Sequence, residues 1–147
     1  MLKKLAFAFC ALLALSGCST NSKKSGSMDA ETEFRTQVGD RVHFEFNSDR
    51  ITEEARETLD RQVEWLNSNK RETIQFVVEG HCDERGTREY NLALGERRAN
   101  SVRSYMVSKG IDPTRLEVIS YGKERPAAIG DTEEVYKLNR RGVTVLK

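Results

Sequence analysis

The period of apolar residues along the chain changes several times, and each change marks an element. Val42, Phe44 and Phe46 alternate with polar neighbours, as a half-buried strand does. Ile51, Ala55, Leu59, Val63 and Leu66 then recur at helical spacing, with Thr52 placed to cap the helix and Glu53 and Glu54 at its positive end. Ile74, Phe76 and Val78 alternate again, and Val77 between them suggests burial on the other face as well. A second helix is predicted over Glu89 to Lys109, turning Leu92, Ala99, Val102 and Met106 towards the core and stopping at Gly110. Leu116, Val118 and Ile119 predict a third strand that ends at Tyr121-Gly122. A short helix around Glu133 to Arg140 and a last strand through Val143 and Val145 complete the pattern. Strands alternating with helices predict an α/β fold, an α+β sandwich with two main helices on one face of a mixed four-stranded sheet.

The front of the chain follows different rules. Lys3 and Lys4 precede an apolar run from Leu5 to Leu15, the charge-then-hydrophobe order of a secretory signal peptide. Spanning a bilayer takes about 20 apolar residues, so this run is too short to do so comfortably. Leu15-Ser16-Gly17-Cys18 resembles the lipobox of bacterial lipoproteins, in which the cysteine is lipidated and becomes the first residue after cleavage. Residues 1–17 are therefore read as a signal peptide and Cys18 as the lipidation site. Ser19 follows, rather than the Asp that favours inner-membrane retention in some lipoproteins, so a lipid anchor in the outer membrane with the domain in the periplasm is expected. Each buried methylene contributes about 0.8 kcal/mol, so two or more acyl chains anchor a protein stably.

Residues 18–40 read as the lipidated cysteine and a flexible tether, because large apolar side chains are scarce there. Such a tether would reach roughly 70 Å when stretched. Its relaxed span would be nearer ~25 Å. Residues 41–147 are one domain's worth of sequence.

Composition and charge narrow the function. The chain holds 24 Lys+Arg against 23 Asp+Glu, and losing Lys3 and Lys4 turns the formal charge from +1 to −1. A near-neutral body without a basic stripe argues against nucleic-acid binding. Of the three cysteines, Cys10 leaves with the leader and Cys18 carries lipid, so Cys82 has no intramolecular partner for a disulfide. His43 and His81 are the only histidines and lack zinc-site spacing, so no metal or other cofactor is expected.

The densest chemistry lies in GHCDERGTREYNLALGERRA, Gly80 to Ala99. Asp83 and Glu84 offer acceptors, Arg85 and Arg88 offer donors, and Gly86 allows a sharp turn. Arg97 and Arg98 sit on the predicted helix, where one of them can point back under the loop. Arginine suits bidentate capture of a carboxylate, and an Asp and an Arg converging on one pocket match a zwitterion. On residue types alone the two could equally pair with each other or cap helix ends. His81-Cys82-Asp83 also holds a nucleophile, a base and an orienter by type, but triad members meet from separated positions. Neighbours on an extended segment point to opposite sides, so an enzyme is not expected.

Four blocks together carry a family resemblance: His43-Phe44-Glu45-Phe46, the GHCDERG loop with Asn91 and GERRA, Ser120 to Pro126, and Leu138-Asn139-Arg140-Arg141. Over about Val42 to Leu146 the chain resembles the OmpA-like peptidoglycan-binding domain family, in its lipoprotein branch. The resemblance implies non-covalent binding of peptidoglycan through meso-diaminopimelate of the stem peptide, with Asp83 on the ligand's ammonium and Arg98 on its carboxylate. It further implies a pocket shaped by Phe46, Asn47, Glu84, Arg85, Gly86, Thr87, Leu94 and Arg141, with Arg140 bracing the fold. Membership of the Tol–Pal system, which serves envelope integrity and cell division, follows from the same resemblance, with TolB and TolA as partners. Asn47 stands where the family usually has Asp, Cys82 where it has a small residue, and Arg88 where Pro is frequent. These departures keep open a second expectation, a structural or protein-interaction lipoprotein whose wall pocket is vestigial.

Overall fold

The computed structural model describes residues 29–68 and 71–147. The leader, Cys18 and most of the expected tether lie outside the described residues. The sheet has four strands, β1 (Arg41–His43), β2 (Phe76–His81), β3 (Leu116–Gly122) and β4 (Arg141–Leu146), in the order β1-β4-β2-β3. β4 runs antiparallel to both β1 and β2, whereas β2 and β3 are parallel, so the sheet is mixed as expected. α2 (Glu53–Leu66) and α3 (Arg88–Ser108) are the two main helices, and α4 (Glu133–Asn139) is the short one before β4. Thr52 caps α2 by accepting from the Ala55 amide. Leu59, Leu66, Phe76, Val78, Ala99, Val102 and Met106 form the buried layer between helices and sheet.

The first strand is shorter than predicted: β1 ends at His43, and Phe46, read as its third apolar residue, lies beyond it and is exposed. Two further expectations fail in detail. Leu92, predicted to face the core, is exposed; α3 instead buries Asn91, Leu94, Gly95, Arg98, Ala99, Val102 and Met106. Its inner face thus carries an amide and a guanidinium, and apolar spacing alone points to the wrong side of the first turn. The cause lies in close packing: a methyl on Gly80 would run into the Gly95 carbonyl, so the backbones of β2 and α3 touch there. That contact lays the start of α3 across the end of β2 and sets Arg98 beneath the loop between them.

The last part of the expected tether is folded. Helix α1 (Ala30–Glu33), capped by Asp29, continues as a π-helical turn over Phe34–Gly39. Phe34 is buried against Trp65, with ring centroids 4.9 Å apart. Glu33 accepts from Trp65 Nε1 at 2.9 Å and pairs with Arg71 at 2.8 Å, and the Arg71 guanidinium lies 4.2 Å from the Trp65 ring. Val38 packs on the same core. Two apolar residues one turn apart in a polar run were enough to dock the segment. Phe34→Ala is expected to destabilise the chain by about 3 kcal/mol, read as a lower urea midpoint at unchanged slope. A loss under about 1 kcal/mol would mean that the segment is not part of the core.

Candidate ligand pocket

The loop that follows β2 is built to hold Asp83 still. Pairing with the end of β3 continues one residue beyond β2, through the Cys82 amide and the Gly122 carbonyl at 2.8 Å. Gly86 turns the chain with φ +90°, a conformation that favours glycine. Thr87 then caps α3, accepting from the Tyr90 amide. The Asn91 side-chain amide donates to the Arg85 and Thr87 carbonyls at 2.8 and 2.9 Å. From outside, Lys123 Nζ donates to the Gly86 and Glu84 carbonyls at 2.6 and 3.1 Å, and Arg88 pairs with Glu124 at 2.8 Å. Side chains from α3 and from the segment after β3 thus fasten the loop.

A cavity of about 250 Å³ opens beside this loop, lined by Phe46, Asn47, Cys82, Asp83, Arg85, Gly86, Tyr90, Asn91, Leu94 and Arg98. Seven of the ten residues expected to bind ligand are there. Glu84 and Thr87 are not: Glu84 accepts from the Tyr136 hydroxyl and Thr87 is the helix cap. Arg141 is not either, being buried at the start of β4 with its guanidinium on the Arg125 carbonyl at 3.1 Å. Its neighbour Arg140, expected only to brace the fold, donates to the Phe44 carbonyl at 2.9 Å and also reaches Asp83 at 3.5 Å. Tyr90 and Asn91 are lining residues that sequence reasoning did not single out as ligand contacts. Both lie in the first turn of α3, whose exposed and buried faces the apolar pattern did not resolve. A larger groove of about 890 Å³ between α2 and α3, lined by Arg50, Arg97 and Lys109 among others, holds no buried side chain.

The two central charges do not pair with each other in this arrangement. Asp83, 4% exposed, accepts from Arg85 Nε at 3.1 Å and Nη2 at 2.6 Å, and from the Arg85 amide at 3.1 Å. Burial pushes its carboxyl up, but the Arg85 and Arg140 hydrogen bonds and charge outweigh this and hold it below the usual carboxylate value. Arg98 is fully buried and donates to three backbone carbonyls, Ser48 at 2.8 Å, His81 at 2.8 Å and Glu45 at 3.1 Å. A guanidinium has five N–H groups. Those three bonds use Nε and one N–H of each terminal nitrogen, and the same side chain lines the cavity.

Asn47 sits at φ +52° between β1 and α2 and accepts from the Tyr90 hydroxyl. Asparagine tolerates this left-handed conformation better than most side chains do. Cys82 is buried with its thiol donating to the Asn91 carbonyl at 3.3 Å, and burial raises its pKa. His81 faces Tyr121 with ring centroids 5.5 Å apart, and burial with the nearby arginines Arg141 and Arg125 pushes its pKa down to about 3. The thiol is thus held protonated and the imidazole neutral, and their hydrogen-bonding partners are on different elements. Cys82→Ala is expected to leave ligand binding unchanged and to cost no more than about 1–2 kcal/mol, read by urea unfolding and a binding isotherm. Lost binding with an intact fold would revive a reactive role for the thiol.

The OmpA family model matches residues 43–140. The peptidoglycan-associated lipoprotein of Mesorhizobium japonicum is 45% identical over 151 residues, covering 95% of this chain and 89% of that protein. The chain belongs to the OmpA family, in its peptidoglycan-associated lipoprotein branch. The crystal structure of the peptidoglycan-associated lipoprotein from Burkholderia pseudomallei superposes with a TM-score of 0.71 at 33% identity, over 77% of this chain and 96% of that one. The C-terminal domain of Helicobacter pylori MotB shares the fold, with a TM-score of 0.64 at 24% identity over 74% of this chain and 84% of that one. The matched span carries Asp83, Arg98 and Arg140 but stops one residue short of Arg141. The docked segment of α1 and Phe34 lies ahead of it.

Proposed function

We propose that the chain is an outer-membrane lipoprotein that holds peptidoglycan non-covalently through the diaminopimelate of its stem peptide. The observation that carries this reading is one small pocket walled by two buried charges of opposite sign, Asp83 and Arg98. Asp83 receives the ligand's ammonium. The Arg98 guanidinium receives the carboxylate on the same carbon. Leu94 and the ring of Phe46 shape the cleft for the methylene chain that follows. No bond is made or broken in this reading, in keeping with a protonated Cys82 and a neutral His81.

Lipid on Cys18 anchors the other end, so the chain links outer membrane to wall and faces the periplasm. Kinship with the peptidoglycan-associated lipoproteins further supports a place in the Tol–Pal system, with TolB and TolA as partners in envelope integrity and division. The test is co-sedimentation of the protein with purified diaminopimelate-type peptidoglycan. The protein pellets with the wall and leaves it chemically unaltered. A folded protein that stays in the supernatant would contradict the reading, and released muropeptides would point to an enzyme.

A further inference from the structure

Resting on that reading of the pocket, we propose that Arg85 is a specificity-determining residue: it occupies Asp83 in place of the ligand's ammonium and makes the site select a zwitterion over a simple amine. Three features of the structure converge on it. Its guanidinium makes a two-pronged pair with the carboxylate that the ligand needs, at 3.1 and 2.6 Å. The same guanidinium is held between two rings, 4.1 Å from the Phe46 centroid and 4.2 Å from that of Tyr136. Its side chain is 35% exposed while that of Asp83 is 5% exposed, so Arg85 lies over Asp83 as a cover.

An ammonium therefore reaches Asp83 only by exchange with a cation already there. The charges around the exchange decide which ligands succeed. Asp83 is faced by Arg85 from its own loop, Arg140 from the end of α4 and Arg98 from α3 within the same pocket, and the carboxylates near these cations are Glu133 of α4 and Glu84, which accepts from the Tyr136 hydroxyl. Glu133 lies 3.9 Å from Arg85 but is already bound to Arg140 at 2.7 Å. A simple amine would add one more positive charge to this group and leave Arg85 without its two charge-assisted bonds. A ligand with a carboxylate on the same carbon as its ammonium supplies the missing anion. That carboxylate falls between Arg98 and the displaced Arg85, so the exchange is charge-balanced. Phe46 and Tyr136 keep the freed guanidinium at the rim rather than releasing it to solvent.

The test uses the full-length chain in detergent and three probes: meso-diaminopimelate, cadaverine, which has the amines without the carboxylates, and pimelate, which has the carboxylates without the amines. Titration calorimetry on the parent protein gives binding of meso-diaminopimelate and little of the other two. In Arg85→Ala the affinity for cadaverine rises roughly tenfold, since the competing cation and its charge-assisted bonds are gone. Preference for the zwitterion narrows accordingly, and Arg85→Lys restores part of it. Tyr136→Leu, which removes one side of the ring sandwich without touching the pocket lining, moves selectivity in the same direction by a smaller factor. Cadaverine binding that is unchanged or weaker in Arg85→Ala, while the parent still takes meso-diaminopimelate, overturns the role of Arg85 alone. Failure of both the parent and Arg85→Ala to take meso-diaminopimelate overturns the pocket reading and the role of Arg85 with it.

Discussion

Arg98→Ala is expected to cost the fold about 3 kcal/mol or more, because it strips one buried and two partly buried carbonyls of their donor, at roughly 1–3 kcal/mol for a fully buried one. Three carbonyls depend on this one side chain, those of Glu45, Ser48 and His81. Two of them lie in the turn between β1 and α2 and the third ends β2, so the guanidinium ties α3 to both. Losing it also opens a cavity under the loop that carries Asp83. Arg98→Lys is expected to fail nearly as badly, since an ammonium is a compact charge and cannot reproduce the planar fork. The measurement is urea unfolding of the parent and both variants, with wall binding assayed under conditions where each is folded. A variant that unfolds like the parent yet no longer binds would mean that Arg98 serves the ligand alone.

Asp83→Ala is expected to do the reverse, abolishing binding while the domain remains folded. Removing one member of a buried charge pair costs about 3–5 kcal/mol of interaction, which corresponds to more than a hundredfold in affinity. Folding is cushioned because Arg140 keeps the Phe44 carbonyl and Glu133, at 2.9 and 2.7 Å, and Arg85 keeps its rings. A pH signature accompanies this. The Asp83 carboxyl titrates below its ordinary value of 3.8 in the folded chain, where hydrogen bonds from Arg85 and Arg140 prevail over burial. Its contribution to stability is therefore present above the unfolded value and is lost as pH falls through the lower, folded value. Wall binding should stay level down to about pH 4 and decline only below it. The corresponding stability loss should be absent from Asp83→Ala. Binding by Asp83→Ala at parental strength would remove the ammonium site from this pocket.

Much of the architecture was legible because it rests on periodicity. Strands through Val42, Phe76, Val118 and Val143 and a helix through Leu59 and Leu66 announce themselves by apolar spacing alone. The site is another matter, because its geometry is made by polar side chains that face inward. Arg98, Arg115 and Arg140 are all buried, and each donates to backbone carbonyls. In the sequence a buried arginine looks the same as a solvated one. Arg140 and Arg141 show the limit most clearly: one reaches Asp83 and the other turns to the Arg125 carbonyl. The preceding chain, leaving α4 at Asn139 and entering β4 at Arg141, sets that choice, and no composition rule distinguishes the two. The family resemblance implied Glu84 and Thr87 in the pocket, yet this turning loop sends Glu84 to the Tyr136 hydroxyl and Thr87 to the cap of α3. The helix at Phe34 was hidden for a different reason. Its apolar content is small, and it folds only because Trp65 and Arg71 wait on the domain surface to receive it.

The most direct test loads the protein onto diaminopimelate-type peptidoglycan and asks which soluble molecule releases it. Free meso-diaminopimelate should elute it, while cadaverine and pimelate at the same concentration should not, because only the first offers ammonium and carboxylate on one carbon. Equal elution by all three at matched ionic strength, or by none, would contradict a pocket in which Asp83 and Arg98 share one zwitterion.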